Sequence, residues 1–506
     1  NGTISSNVDL NRRKLRKLLF THYIIALALV ATTVSSCSDW LDYQPADKTT
    51  AEQQFSTRAG YYSTVNGVYN NLTTTTLYGS NLTHGAIDLM ARRYEPGTSS
   101  ATSVKYNWSN SRYTYLDTQI GNIWKAAYKD ILNINVILHN MEKQNGSVLN
   151  AIDSKLIKGD LLALRAFLHF DMLRLFGNTY WRDSETPVVP YNNSAEAQAY
   201  ELRSAKSIVY DCLIPDLDEA EKNLQEVDPV TTEGPLASDY DNGDNYRRYR
   251  QLRINCYAVA LLKARIYLWA EDYDNALLEA KKITDNAKVK ELFPFVNPDR
   301  LLGNNANPDR VFSTEVLFGF YDSDRNNVFT SYFDGANLSS TAIYQPRVGY
   351  IEELFTNQAD YRYQSWWKRN GSYYNFIKYK GITYDKDNVP LYALMVPLMR
   401  VSEAYYIAAE CLSRRLKMAE AAGYINTILK ARGQPELPQD VNYADFNKTL
   451  NNEYIREFWG EGQIFFMFKR NFMNITKDYN ASATGNVTAN NSTYVLPLPS
   501  NELENR

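Results

Sequence analysis

The chain has 506 residues, a formal net charge of −3 and an isoelectric point near 6.0, with no basic block after its first residues, which disfavours a nucleic-acid partner. Its length allows one large body or several ordinary domains, and its 4 cysteines show neither a disulfide framework nor a zinc-ligand spacing. The 39 Tyr, 20 Phe and 8 Trp exceed what core packing demands; tyrosine favours places with one apolar face and one wet end, such as ligand platforms and interfaces.

In chain order, Arg12, Arg13, Lys14, Arg16 and Lys17 come first and run into the apolar stretch 18–34, the n-region and h-region of a secretory signal. The stretch ends in Val34-Ser35-Ser36-Cys37, which resembles a bacterial lipobox: an aliphatic residue, two small ones, then the cysteine whose sulfur receives the lipid. This predicts a signal over 1–36, lipidation at Cys37 and an exported body over 37–506 held at a membrane by its acyl chains. An ordinary transmembrane anchor is the alternative, for which Thr21, His22, Thr32 and Thr33 make the stretch marginal.

Four later segments carry the 3.6-residue apolar rhythm of buried helices: 123–142, 156–176, 256–283 and 401–429. Gly177 is expected to close the second as a C-cap. The third reads as a helical hairpin, with Ala260, Leu261, Ala264, Tyr267 and Leu268 on one helix and Ala276, Ala280 and Ile283 on the next. Glu271-Asp272-Tyr273 is its turn, and the whole is similar to a tetratricopeptide hairpin. The fourth repeats that plan through Ala404, Ala408, Ala409 and Leu412, a break near Leu416-Lys417, then Ala419, Ala422, Ile425 and Ile428. Such hairpins bury their faces only by stacking on neighbours. Cys212, Cys256 and Cys411 lie in apolar helical patterns and read as free buried thiols; His139 and His169 read as structural. Between the helices, 73–118 and 296–395 are rich in Thr, Ser, Asn, Gly, Tyr and Trp, the composition of binding loops on a scaffold. The pattern predicts a mainly α body of tetratricopeptide-like hairpins with an irregular, loop-rich half, a generic helical bundle being the alternative. The segments 397–400 and 496–499 are expected to be extended, because proline disfavours helix at the residue before it.

No Gly-x-Ser-x-Gly elbow, His-Glu-x-x-His pair or Gly-rich phosphate loop occurs, which favours binding over catalysis and calls for no cofactor or metal. Glu453, Glu457 and Glu461 fall four apart beside Arg456, the spacing of a charged, partly paired helix face. Glycoside hydrolysis needs two carboxylates facing each other across a cleft, which neighbours on one helix do not supply.

Further residues fall into an ordered series. It starts with Cys37-Ser38-Asp39-Trp40-Leu41-Asp42 and Pro45, then Trp124, Tyr128, Ile131 and Asn135. Gly159, Ala163, Arg165, Ala166, Phe170, Leu173, Leu175, Phe176 and Gly177 follow, then Ala264-Arg265-Ile266-Tyr267-Leu268. Arg400, Glu403, Ala409, Glu410, Asn426, Glu453, Arg456, Glu457, Gly460, Glu461 and Gly462 come next, and Leu496-Pro497-Leu498-Pro499, Glu502 and Asn505 close the series. Together they resemble the SusD/RagB family of Bacteroidota surface lipoproteins. The family usually has Arg after Glu-Gly; Gln463 stands there, removing a buried ion-pair donor and pointing to a divergent subgroup.

The resemblance implies a single SusD-like body with an N-terminal region over 37–290 and a C-terminal SusD/RagB region over 291–506. It implies a lipid-anchored, surface-exposed outer-membrane protein that captures a glycan or peptide and delivers it to a SusC-type TonB-dependent transporter. A secreted hydrolase on the same nutrients is the alternative, and a scaffold without a small ligand a third reading. In the family, ligand contacts come from the loops after the first helix and from the irregular central region. Here those loops hold Tyr78, Asn81, Asp88, Arg92, Trp108, Tyr113 and Tyr115, then Tyr344, Trp366, Trp367, Tyr373 and Tyr374. Trp108 sits in a polar setting with no helical face to bury it. Adjacent Trp366 and Trp367 point different ways, so at least one is expected at the surface.

Overall fold

The computed structural model describes residues 51–94, 117–235, 245–303, 305–339, 342–475, 487–499 and 502. Cys37 and the stretch before it, and Trp108, Tyr113 and Tyr115, lie outside the described residues. The chain divides into two units, Asn1–Ser56 and Thr57–Arg506. The described part of the first contains one helical turn, Ala51–Gln54, after which the Ser56 hydroxyl donates to the Gln53 carbonyl at 2.7 Å.

In the second unit, the Thr57 hydroxyl accepts the Gly60 N–H at 3.1 Å and so caps helix α1 (Arg58–Leu72). A closely wound loop leads to the short α2 (Ala86–Met90). Helices α3 (Asp117–Gln144) and α4 (Ala151–Phe176) pack together. Asn150 caps α4 by accepting the Asp153 N–H at 2.9 Å. Almost every side chain of α4 from Leu156 onward is buried, so this helix is core on all sides rather than amphipathic. It crosses α5 (Ile214–Val227) at Gly159, where a Cβ would stand 2.5 Å from Leu224 Cγ. Gly177 caps the end of α4, as expected, its N–H donating to the Leu173 carbonyl at 2.9 Å. Its φ is −86°, and a Cβ there would meet the Leu173 carbonyl oxygen at 2.6 Å. Closeness, not backbone twist, requires glycine.

Both predicted hairpins form. Helices α6 (Cys256–Trp269) and α7 (Tyr273–Thr284) turn at Glu271, φ 58°, and α8 (Val401–Ser413) and α9 (Met418–Ala431) turn at Leu416, φ 57°. Ala264, Ala276, Ala280, Ala404 and Ala408 are completely buried; small side chains let the helices approach, and α7 packs on α8 to join the two hairpins. Inside that joint, the Arg265 guanidinium grips Glu403 with bonds of 2.6 and 2.7 Å. Helices α10 (Tyr443–Phe458) and α11 (Ile464–Asn471) complete the helical part. The mainly helical body expected from the periodicity is the fold observed.

The strands are short and pair in twos. β1 (Pro187–Pro190) pairs with β2 (Leu202–Ser204), β3 (Val316–Tyr321) with β6 (Met395–Arg400), and β4 (Trp367–Asn370) with β5 (Tyr373–Phe376), all antiparallel. β6 holds the extended 397–400 segment that feeds α8. The β3–β6 pair ties the start of the central irregular region to its end. Cys212, Cys256 and Cys411 are free and buried, as expected. Among the described residues no helix is long and apolar enough to cross a membrane.

Candidate functional site

Charge is concentrated in the interior first. Arg362, Lys378, Arg400, Arg432 and Arg456 meet Glu315, Asp360, Glu453, Glu457 and Glu461 in one connected, charge-balanced network. Glu457 alone accepts from Arg362 at 2.8 Å, Arg400 at 2.5 Å and Arg432 at 2.6 Å. The helix face expected to be charged and partly paired proves to be fully buried, with Glu453, Glu457 and Glu461 each multiply bonded. Burial alone would raise Glu457, but Arg432, Arg400 and Arg362 hold it well below the usual carboxylate range. A carboxylate locked in its ionised form and shut from solvent cannot act as a general acid on a glycan.

Several residues expected to contact ligand prove to be interior. The Tyr78 hydroxyl donates to Asp171 at 2.7 Å, its ring 5.2 Å from Phe167. Asp88 is fully buried and accepts the Gly460 N–H at 2.9 Å, tying α2 to the turn after α10. Trp366 is also fully buried; its indole N–H donates to the Arg310 carbonyl at 2.7 Å and Lys378 Nζ lies 4.0 Å from its ring centroid. Trp367 meets Trp459 edge-on at 4.9 Å. The expectation of an exposed ring in this pair is corrected, because the two neighbours point into two parts of the core. Tyr374 is buried too, its hydroxyl 2.6 Å from that of Tyr363.

Four expected residues stay at the loop surface: Asn81, Arg92, Tyr344 and Tyr373 are half-buried. Asn81 turns its amide to the Thr76 carbonyl at 3.2 Å. Tyr344 lies between Tyr94 and Tyr332, with ring centroids 5.5 and 5.0 Å away and planes within 28°. Three residues on, Arg347 bridges to Tyr373 and holds its guanidinium 5.4 Å from that ring. The Tyr374 N–H donates to Pro346 O at 2.9 Å and the Val348 N–H to Ser372 O at 3.0 Å, so 344–348 and 372–374 run side by side. The structure thus brings Tyr344 and Tyr373 onto adjoining segments and adds Tyr332 and Arg347, which sequence reasoning missed. Arg347 had a signal: a lone cation between Tyr344 and Tyr350 in an aromatic-rich loop.

A cleft of about 780 Å³ lies elsewhere, lined by α1, the segment 245–253 and the end of β3. Tyr62, Tyr69, Tyr246, Tyr249 and Tyr321 face it together with Asn66, Asn70, Arg248 and Arg253. None was singled out from the sequence, although the mixture of Tyr and Arg over 246–253 was the available sign.

Comparison with known proteins agrees with this architecture. Residues 39–232 match a family profile described as starch-binding and associating with the outer membrane, and residues 392–504 match that of the SusD family. The chain belongs to the SusD/RagB family. SusD-like protein P2 of Formosa agariphila is 23% identical over 270 residues, which is 52% of this chain and 46% of the relative. The match spans about half of that relative's length. A SusD-like carbohydrate binding protein from Bacteroides vulgatus superposes with a TM-score of 0.66 at 18% identity, over 89% of this chain and 96% of that one. A SusD superfamily protein from Bacteroides thetaiotaomicron gives 0.65 at 20%, over 88% and 98%. Within this SusD/RagB chain, Gln463 accepts from Arg174 at 3.0 Å while Arg174 also pairs with Asp171. The half-buried Gln463 keeps a polar role against the buried Arg174 without carrying a charge.

Proposed function

We propose that this SusD/RagB-family protein is a non-catalytic, lipid-anchored glycan-binding protein of the outer-membrane surface, partnered with a SusC-type TonB-dependent transporter. The observation that carries the reading is the half-buried tyrosine group Tyr332, Tyr344 and Tyr373 with Arg347 on the loop side. Aromatic rings match the apolar face of a pyranose, and the neighbouring guanidinium and hydroxyls match its oxygens. The family description of starch binding supports a carbohydrate rather than a peptide. Attachment would be through lipid on Cys37, and docking on the transporter through the hairpin layer. There an apolar groove of about 730 Å³ runs between the two hairpins, lined by Val289, Phe293, Phe295, Tyr405 and Tyr424.

A calorimetric screen of neutral oligosaccharides and peptides against the mature protein tests the ligand class. Tyr344→Ala should weaken the bound glycan by about 1–3 kcal/mol, the scale of an aromatic hot spot, with an unchanged circular dichroism spectrum. Full affinity in both Tyr344→Ala and Tyr373→Ala would remove this site, and peptide binding without glycan binding would reassign the ligand. Cys37→Ala should leave the membrane fraction; its retention there would overturn the anchor.

A further inference from the structure

We infer that the cleft between α1, the segment 245–253 and β3 is a second binding site, and that its ligand is an acidic oligosaccharide bearing carboxylate or sulfate groups. The inference stands on this cleft alone and not on the loop-side tyrosines. Among the described residues the lining holds three arginines, Arg58, Arg248 and Arg253, and no carboxylate. Arg58 is paired with Asp153, outside the lining, at 2.8 Å. Arg253 is differently placed. Its guanidinium lies 4.4 Å from the Tyr246 ring centroid and 4.8 Å from that of Tyr69, and Nη2 donates to the neutral Asn66 amide oxygen at 2.5 Å. Its Nη1 is buried without a hydrogen-bond partner. Among the described residues no carboxylate pairs with Arg253, and an oxyanion entering the cleft is the partner that its planar, cleft-lining guanidinium takes best.

The rest of the lining suits the sugar that would carry that anion. Tyr62 and Tyr246 stack at 4.4 Å with planes 3° apart, forming a rigid wall behind Arg253. Tyr249 is held in the left-handed backbone region at φ 52°, a conformation costly for a residue of its size and concentrated at binding sites. Tyr321 is 42% exposed at the end of β3 and offers ring surface for stacking. Asn66 and Asn70 add amides for hydroxyl groups on the exposed side of α1. At about 780 Å³ the space takes several sugar rings.

Titration calorimetry with tri-galacturonate, its methyl ester and a sulfated galactan trisaccharide tests this. The acid, the sulfate or both should bind, identifying which oxyanion is taken, and the ester should not. Raising NaCl from about 0.05 to about 0.5 M should weaken the interaction. Arg253→Gln removes the donor but also loosens the tyrosine column. Asn70→Asp, exposed on α1, sets a like charge in the cleft without disturbing it. Both should lower affinity about tenfold. Equal affinity for acid and ester, no binding of either anionic probe, or undiminished binding in Asn70→Asp would overturn the site. A protein that binds a neutral glycan but neither anion loses this inference alone. One that binds an anion through the cleft and no neutral glycan loses the loop-side reading alone.

Discussion

Asp88 sits in the short α2, in a stretch whose composition reads as a binding loop, yet it is fully buried and bonded to a backbone 372 positions away. Burial pushes its carboxyl up to about 7, against the pull of the Gly460 N–H, Arg93 and Lys378. A carboxyl with a folded pKa above its unfolded value stabilises the protein while protonated, and that stability is lost as pH rises from about 4 through about 7. His84 and His169 act with the opposite sign. Burial holds both near 3, so they cost stability as pH falls below about 6.5, where the unfolded imidazoles take up protons. The contributions overlap, and Asp88→Asn separates them. Urea unfolding from about pH 4 to about pH 8 should show the variant gaining on the parent chain by up to ~1.4 kcal/mol per pH unit. A difference that stays constant over this range would mean that Asp88 titrates like an exposed carboxyl. At the residue scale, composition did not tell inside from outside, and it read as loop two short helices, Ala86–Met90 around Asp88 and Tyr361–Trp366 ending in Trp366. Trp366 and Tyr344 lie in equally aromatic, aperiodic stretches, and only long-range partners such as the Arg310 carbonyl or the Tyr94 ring separate core from surface.

Helices were the legible elements, because one apolar face repeats every turn and needs no distant partner to be recognised. The hairpin turn at 271–273 and the break at Leu416 fell where composition placed them, both closed by a left-handed residue. What periodicity could not express is the crossing of α4 and α5, since α4 is buried all round. There a single glycine decides the helix separation. Gly159→Ala would add helix propensity worth about 1 kcal/mol, but its methyl would enter the Leu224 side chain, itself fully buried. Overpacking at such a crossing costs about 1–3 kcal/mol and should outweigh the gain. Thermal unfolding should therefore show Gly159→Ala less stable than the parent, and Gly159→Ala/Leu224→Ala less destabilised than the sum of its two single variants. Simple additivity would mean that the crossing relaxes without strain. Apart from the extended 397–400 segment inside β6, which Pro397 announced, the strands were not legible, for the converse reason. β3 and β6 are brief, buried on both sides and separated by the whole central region, so neither alternation nor a hairpin turn announces their pairing.

Across the whole molecule, the buried ion network and the two hairpins form one support, with Glu403 and Arg265 in the hairpins and Arg400 leading from β6 into α8. Separating any partner would leave a charge in the core, an expensive state, so this part is built to hold its shape rather than to move. A rigid layer with an apolar groove is suited to docking against a large partner, and the transporter reading makes that groove its contact. Gly423 lies exposed at the groove on α9, and a Cβ there meets nothing within 4 Å. Gly423→Arg therefore fills the groove mouth with a long charged side chain while improving helix propensity and leaving the core untouched. In mild detergent, the parent protein purified from its native membranes should bring a barrel with it. The variant should lose that barrel while keeping its unfolding temperature and its glycan affinity. A barrel retained by Gly423→Arg would move the interface off the groove, and a parent protein that brings no barrel at all would remove the transporter from the proposed function.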